Sequence, residues 1–169
     1  MPYDTKSVTV VAVSDRVEWV LLAYRLPREP STPRIALWRQ LRKLGAVQVL
    51  DGLVALPLDA RNRERFEWLA DEVAEAGGEA SLWVGRLSAR AQERELARRM
   101  AAAAAEEYRA LIAAAAAAHR ASPGQRKRTL ARLRRGLRAI RSRDYFPPPE
   151  REQATQAVEE LGQLVEVAR

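Results

Sequence analysis

Cysteine is missing altogether, and histidine occurs once, as His119. Without a thiol there is no disulfide framework, thiolate nucleophile, zinc ribbon, iron–sulfur cluster or redox dithiol. A single imidazole leaves no His–His metal pair and no Ser-His-Asp arrangement, and at a helix end His119 reads as a surface residue. Long apolar runs are also missing. The longest stretch free of charge, residues 110–118, falls far short of the about 20 residues that span a bilayer. Residues 1–15 have no basic flank leading into an apolar run, so no signal peptide is expected. These absences point to a cytoplasmic protein with no membrane contact, cofactor or metal. Aromatic residues make up 6% of the chain, and Trp19, Trp38, Trp68 and Trp83 are spaced as core or half-buried residues.

What remains is ordinary in amount and uneven in distribution. A chain of 169 residues is about one domain with a small appendage. It hides roughly two-thirds of its unfolded surface and needs neither metal nor disulfide to fold. The net charge is +7, yet residues 125–144 alone hold nine basic side chains against one acid, Asp144. The basic balance therefore belongs to one segment.

The front half reads as an α+β sandwich. Trp19-Val-Leu-Leu-Ala-Tyr24 is a continuous apolar run, as in a strand covered by packing, and Pro27 ends it. Ser31-Thr-Pro-Arg34 is a helix start, with a hydroxyl N-cap and proline in the first turn. Ile35, Leu37, Trp38, Leu41 and Leu44 then fill about half the helical circumference, and Gly45 stands where the helix should stop. Two β-rich runs, 46–50 and 53–56, flank Asp51-Gly52, which predicts a hairpin closed by a type I′ turn. A second helix runs from near Asp59 to Ala76, with Phe66, Leu69 and Val73 on one stripe and Gly77-Gly78 at its end. Residues 79–86 form the last strand. The order β-α-β-β-α-β is that of ferredoxin-like domains, here over residues 17–87. Residues 1–16, including Val8–Val13, are an extra strand or a loose arm.

Residues 88–169 read as a helical bundle of about three helices packed on that sandwich. A long alanine-rich helix reaches about His119, and Ser122-Pro-Gly124 breaks it. From Gln125 to about Arg143, Leu130, Leu133, Leu137 and Ile140 form an a/d seam of two heptads. After the stiff turn Tyr145-Phe-Pro-Pro-Pro149, a last helix is acidic, and an antiparallel hairpin would pair its glutamates with the basic helix.

At about 100° per residue, Arg128, Arg132, Arg135 and Arg143 lie broadly opposite the leucine seam, with Lys127, Arg134, Arg138 and Arg141 on one flank. Arg126 falls at the angle of the seam but can turn outward at the helix start. Guanidinium rows suit phosphates, because each fork donates two bonds to one anion. Nucleic acid is one reading of Arg126, Arg128, Arg132, Arg135 and Arg143, helped by Arg28, Arg34 and Arg39. A solvated face partly neutralised by the acidic helix is the second, and an acidic partner protein the third. The turn holding Arg25, Arg28, Ser31, Thr32 and Arg34 places free N–H groups of a helix start beside three arginines. It reads either as an oxyanion or phosphate pocket or as an ordinary capped helix with surface arginines. No helix-turn-helix signature accompanies these rows, so base readout is unassigned.

Over nearly the whole chain after about Val17, the sequence resembles the N-terminal domain of the chromate-resistance regulator family ChrB. The resemblance is carried by Trp19-Val-Leu-Leu-Ala-Tyr-Arg-Leu-Pro-Arg-Glu-Pro-Ser-Thr-Pro-Arg-Ile-Ala-Leu-Trp-Arg-Gln-Leu-Arg-Lys-Leu-Gly-Ala46. It continues through Ala76-Gly-Gly-Glu-Ala80, Glu106-Glu-Tyr108 and Arg138-Ala-Ile-Arg-Ser-Arg-Asp-Tyr-Phe146. It implies a non-enzymatic transcriptional regulator that binds DNA, as a homodimer in our reading. Family members typically continue into a second domain associated with chromate sensing, whereas this sequence stops at Arg169. Sensing is therefore not carried over, and a separate chromate-sensing domain protein becomes a partner to look for. The front half is also similar to small Cas2-type domains, some of which are metal-dependent nucleases with a carboxylate at the end of the first strand. Here that place holds Tyr24-Arg25, and Asp15, Asp51 and Asp59 are not spaced as a metal site.

Overall fold

The structure, a computed structural model, describes residues 16–167. Residues 8–13, read above as a further strand or arm, lie outside them. The elements are β1 (Trp19–Arg25), α1 (Thr32–Leu44), β2 (Val47–Leu50), β3 (Leu53–Pro57), α2 (Ala60–Glu75), β4 (Glu79–Gly85), α3 (Arg90–Ala118), α4 (Pro123–Arg141) and α5 (Glu150–Val167). The chain divides into two compact units, the first ending at Leu96 and the second beginning at Ala97.

The first unit is the α+β sandwich that its element order predicts. Its four strands are antiparallel in the order β2-β3-β1-β4, so the apolar run of β1 is central and hydrogen-bonded on both sides. Val20, Leu22, Val54 and Leu56 share one face and are almost fully buried, as are Phe66, Leu69 and Val73 of α2. Helix ends follow local chemistry. Asp59 caps α2 by accepting the Asn62 N–H at 2.6 Å. Gly45 ends α1 at φ 73°, with its own N–H on the Arg42 carbonyl and that of Ala46 on the Leu41 carbonyl.

Three local expectations change. Ser31 stands at the N-cap of α1, but its backbone is already helical and its hydroxyl makes no cap bond. The Asp51-Gly52 turn is not type I′, because only Gly52 has positive φ (72°) among the described residues of the hairpin. A register shift between Gln48 and Leu50 absorbs the mismatch as a bulge in β2. The tryptophans also part company. Trp19 is 1% exposed, whereas Trp38, Trp68 and Trp83 are 55%, 66% and 64% exposed. α1 buries only Leu37 and Leu41, so Trp38, one step of about 100° from Leu37, faces water beneath the Arg42 guanidinium, 4.8 Å from its ring. Trp68 stands one such step from buried Leu69, and Trp83 lies on the edge strand β4.

Gly52 serves two needs at once. Its carbonyl accepts the Tyr24 N–H at 2.7 Å, stitching the hairpin turn to the end of β1. A Cβ there would lie 2.5 Å from the Tyr24 carbonyl oxygen, on a backbone of φ 72°. Gly52→Ala is therefore expected to destabilise the chain by about 2 kcal/mol or more. Urea unfolding of the two proteins checks this, and equal midpoints would contradict it.

The second unit consists of α4, α5 and the rest of α3 from Ala97 onward. Ser122 caps α4, accepting the Gln125 N–H, and Pro123 fills the first helical position. All four seam residues of α4 are buried, together with Tyr108 and Ala115 of α3 and Ala154, Val158 and Leu161 of α5. Small residues let the helices approach closely. Leu111 of α3 lies 3.1 Å from where a Cβ on Gly136 of α4 would stand.

Candidate nucleic-acid interface

Because the leucine seam of α4 faces the core of the second unit, the rows opposite it are left in water. Arg128, Arg132 and Arg135 are exposed, and among the described residues none of the three takes a hydrogen bond or an ion pair. Lys127 and Arg138 are exposed in the same way. Arg128 and Arg132, with Gln125 and Thr129, also border a groove of about 550 Å³. Ala114, Ala117, Ala118 and Ala121 form its other wall. From Arg128 to Arg135 the helix axis advances about 10 Å, enough to address more than one phosphate of a duplex that carries a charge every ~1.7 Å of its axis.

Two members of the basic row are withdrawn. Arg126 turns back rather than outward, and its Nη2 donates to the carbonyls of His119 and Ala121 at 3.0 and 3.2 Å. It thereby caps carbonyls left open at the end of α3. Arg143 bonds the carboxylate of Glu107 and the Ala139 carbonyl, and its side chain is 19% exposed. Arg141 donates to the Thr155 hydroxyl at 2.6 Å.

The acidic helix does not neutralise the row. Among the described residues no ion pair joins α4 to α5. Their contact is the apolar seam, and Arg141–Thr155 adds a single polar link. Glu150 is taken by Arg109 of α3 at 2.6 Å. A hydrogen bond from its own backbone N–H and that guanidinium together hold its carboxyl below the usual range. An antiparallel hairpin places opposite charges side by side only when they flank the seam, and Arg128, Arg132 and Arg135 lie behind it.

The turn after β1 is different. Arg25 pairs with Glu79 at 2.8 Å, and Arg34 donates to the carbonyls of Pro27 and Arg28, both at 2.9 Å, closing the turn on itself. Ser31 and Thr32 are exposed. Of the five residues read there as an anion pocket, Arg28 alone offers an exposed guanidinium that takes no partner among the described residues. Arg39 of α1 is exposed in the same way.

One cluster escaped the sequence reading. Tyr108, fully buried, donates to Asp144 Oδ2 at 2.9 Å, and Arg151 stands 3.8 Å from the same oxygen. The Asp144 side chain is 1% exposed, and its Oδ1 is buried without a hydrogen bond. Burial pushes the Asp144 carboxyl up, against the opposing pull of Tyr108 and Arg151. Burial, with the adjoining carboxylate, likewise raises the Tyr108 hydroxyl. Glu107–Arg143 and Arg109–Glu150 pair residues of the same two stretches. The only signal available was that Glu106-Glu-Tyr108 and Arg143-Asp144 both belong to the quoted family stretches; their meeting across 36 positions is invisible in the sequence. Among the described residues, no three His, Cys, Asp or Glu side chains gather as a metal site, and no helix is long and apolar enough to cross a membrane.

Comparison with known proteins returns the same family that the sequence resembles. The family model for the N-terminal part of Protein ChrB matches residues 34–122, more than half of the chain and up to the N-cap of α4. Protein ChrB of Cupriavidus metallidurans (strain ATCC 43123 / DSM 2839 / NBRC 102507 / CH34) is 30% identical over 138 residues, which cover 79% of this chain. The chain spans 42% of that relative's length. No solved structure matches. By the family match over α1 to α3, this chain belongs to the ChrB N-terminal family.

Proposed function

We propose that this chain is the DNA-contacting part of a ChrB-type transcriptional regulator linked to chromate resistance. One observation carries the reading: Arg128, Arg132 and Arg135 stand in one row, exposed and without an ion-pair partner among the described residues, on a helix whose apolar side is already used. Desolvated or paired arginines have spent their hydrogen bonds, whereas these three keep theirs for an outside anion. Contact of this kind is electrostatic and indifferent to sequence, and Lys127 and Arg138 widen the same surface. Family membership supplies the link to the regulator and to chromate.

The experiment is a titration of fluorescently labelled duplex DNA with the chain at low salt, followed by anisotropy. Binding is expected, and unlabelled duplex should displace the label far better than polyglutamate at equal charge. Equal displacement by the two would favour an acidic protein as partner, and no binding at about 50 mM salt would remove the nucleic-acid reading.

A further inference from the structure

A second, smaller concentration of positive charge lies on α1. Between Glu29 and Asp51 the chain holds four cations, Arg34, Arg39, Arg42 and Lys43, and no acid. Arg34 is committed to the carbonyls of its own turn. Arg39 and Lys43 are exposed and take no hydrogen bond or ion pair among the described residues. Arg42 has a ring for its partner, with its guanidinium 4.8 Å from the centroid of Trp38. An acid that α1 does meet, Glu72 of α2, accepts from the uncharged side chain of Gln40 at 2.6 Å. These groups share a face. Leu37 and Leu41 point into the core, and at about 100° per residue Trp38, Arg42, Ile35 and Arg39 follow one another from the flank of that side to its opposite. Trp38 and Ile35 are apolar, yet stand 55% and 47% exposed. The helix dipole favours Arg42 and Lys43, which lie in the last turn. It does not account for Arg39, a turn earlier, or for two large apolar side chains in water. Arg39 also stands three and four positions before Arg42 and Lys43, spacings at which like charges repel along a helix. Such a face gains from a polyanion that also brings flat apolar surfaces.

We infer that this face of α1 is a second nucleic-acid site, and that its ligand is a strand with unpaired bases. Arg39 and Lys43 meet phosphates, and a base stacks on the Trp38 ring that Arg42 braces. A duplex keeps its base faces inside the stack, so it would engage the cations and leave Trp38 and Ile35 in water. An unpaired strand engages both, since every base has a π-face and every link a phosphate. An anionic membrane surface also attracts tryptophan and cations, but it requires a broad apolar face. Here Leu37 and Leu41 are already buried, leaving only Ile35 and Trp38 as large apolar groups of α1 in water. The row on α4 is made differently, with arginines and no aromatic residue anywhere on its helix. The two faces therefore take different forms of nucleic acid, and the site on α1 does not rest on the reading of α4.

The test uses the full chain carrying Arg128→Ala, Arg132→Ala and Arg135→Ala, so that the α4 row cannot contribute. A thymidylate oligomer of about 12 nucleotides, within the usual site size of single-strand binders, should bind it and quench tryptophan emission. Adding Trp38→Ala is expected to weaken that binding about 5- to 150-fold, the worth of one stacked base. Trp68→Ala, which removes a ring 66% exposed on α2, should leave it unchanged. Arg39→Ala/Lys43→Ala should flatten the slope of log affinity against log salt by about 1.4, two contacts at about 0.7 each. Circular dichroism checks that every variant keeps its fold. Equal binding by the Trp38→Ala and Trp68→Ala variants would overturn the inference. So would a duplex of the same length that binds this background as tightly as the single strand. A Trp38-dependent emission shift on phosphatidylglycerol vesicles, with none on the oligomer, would also overturn it and make the face a membrane contact. Any of these failures leaves the duplex reading of α4 intact, because that row is absent from the protein tested.

Discussion

Replacing Arg128, Arg132 and Arg135 together by alanine is expected to weaken binding to duplex DNA about 500-fold at 0.1 M salt. Each phosphate contact releases about 0.9 of a counterion, so at 0.1 M salt each is worth about eightfold and three compound to that figure. The fold should hardly notice. All three side chains are exposed and unpartnered among the described residues, and exposed substitutions away from caps and cores usually change stability by less than about 0.5 kcal/mol. Arg126→Ala is the instructive contrast. Its guanidinium is committed to the carbonyls of His119 and Ala121, so its loss should lower stability by about 1 kcal/mol and barely alter affinity. Arg143→Ala belongs with it, since Glu107 and the Ala139 carbonyl already occupy that side chain. Anisotropy titrations and urea unfolding of the same preparations separate the two classes.

Tyr108→Phe is expected to destabilise the chain by about 2–3 kcal/mol at neutral pH, because it leaves a buried carboxylate without its hydroxyl donor. The penalty should depend on pH in a definite sense. The folded-state carboxyl of Asp144 already titrates above the ordinary value of 3.8, chiefly because it is buried. For such a group, any stabilisation is fully present below the unfolded-state value and is lost as pH rises through the folded-state value. Removing the Tyr108 hydroxyl takes away a contact that favours the charged form, so it raises that carboxyl further. The gap between wild type and Tyr108→Phe should therefore shrink below about pH 4 and widen towards pH 7. Arg151, 3.8 Å away, limits the widening without abolishing it. Adding Asp144→Asn should flatten the pH dependence of the difference. A gap that stays constant from pH 4 to 7 would mean that Asp144 is not charged in the fold.

What the sequence reveals here is mostly what neighbours within a few residues decide. The apolar run of β1, the start of α2 near Asp59, the glycine stop at Gly45 and the a/d seam of α4 are local features, and each appears where expected. The hairpin at Asp51-Gly52 was legible as a turn but not as a type, because the bulge that reshapes it depends on how β2 registers against β3. Trp38 and Trp68 misled for a related reason. An apolar stripe shows which side of a helix faces inward, not how far its neighbour extends to cover it.

The basic helix divides along the same line. Arg128, Arg132 and Arg135 could be placed because their angle from the leucine seam is local geometry. The fate of Arg143 could not, since its acid lies 36 positions away. Arg126 had its angle read correctly, yet its partner is the frayed end of the preceding helix, which no periodicity displays. The glutamates of α5 looked like counterions because both helices carry seams, but a seam sets apolar residues face to face and turns the far row outward.

The most direct single test is the salt dependence of duplex binding by the intact chain and by its Arg128→Ala/Arg132→Ala/Arg135→Ala variant. Plotted as the logarithm of affinity against that of salt concentration, the wild-type line should be steeper by about 2.7, three contacts at about 0.9 each. Parallel lines for the two proteins would show that the α4 row touches no phosphate, and the proposed role of this helix would fall.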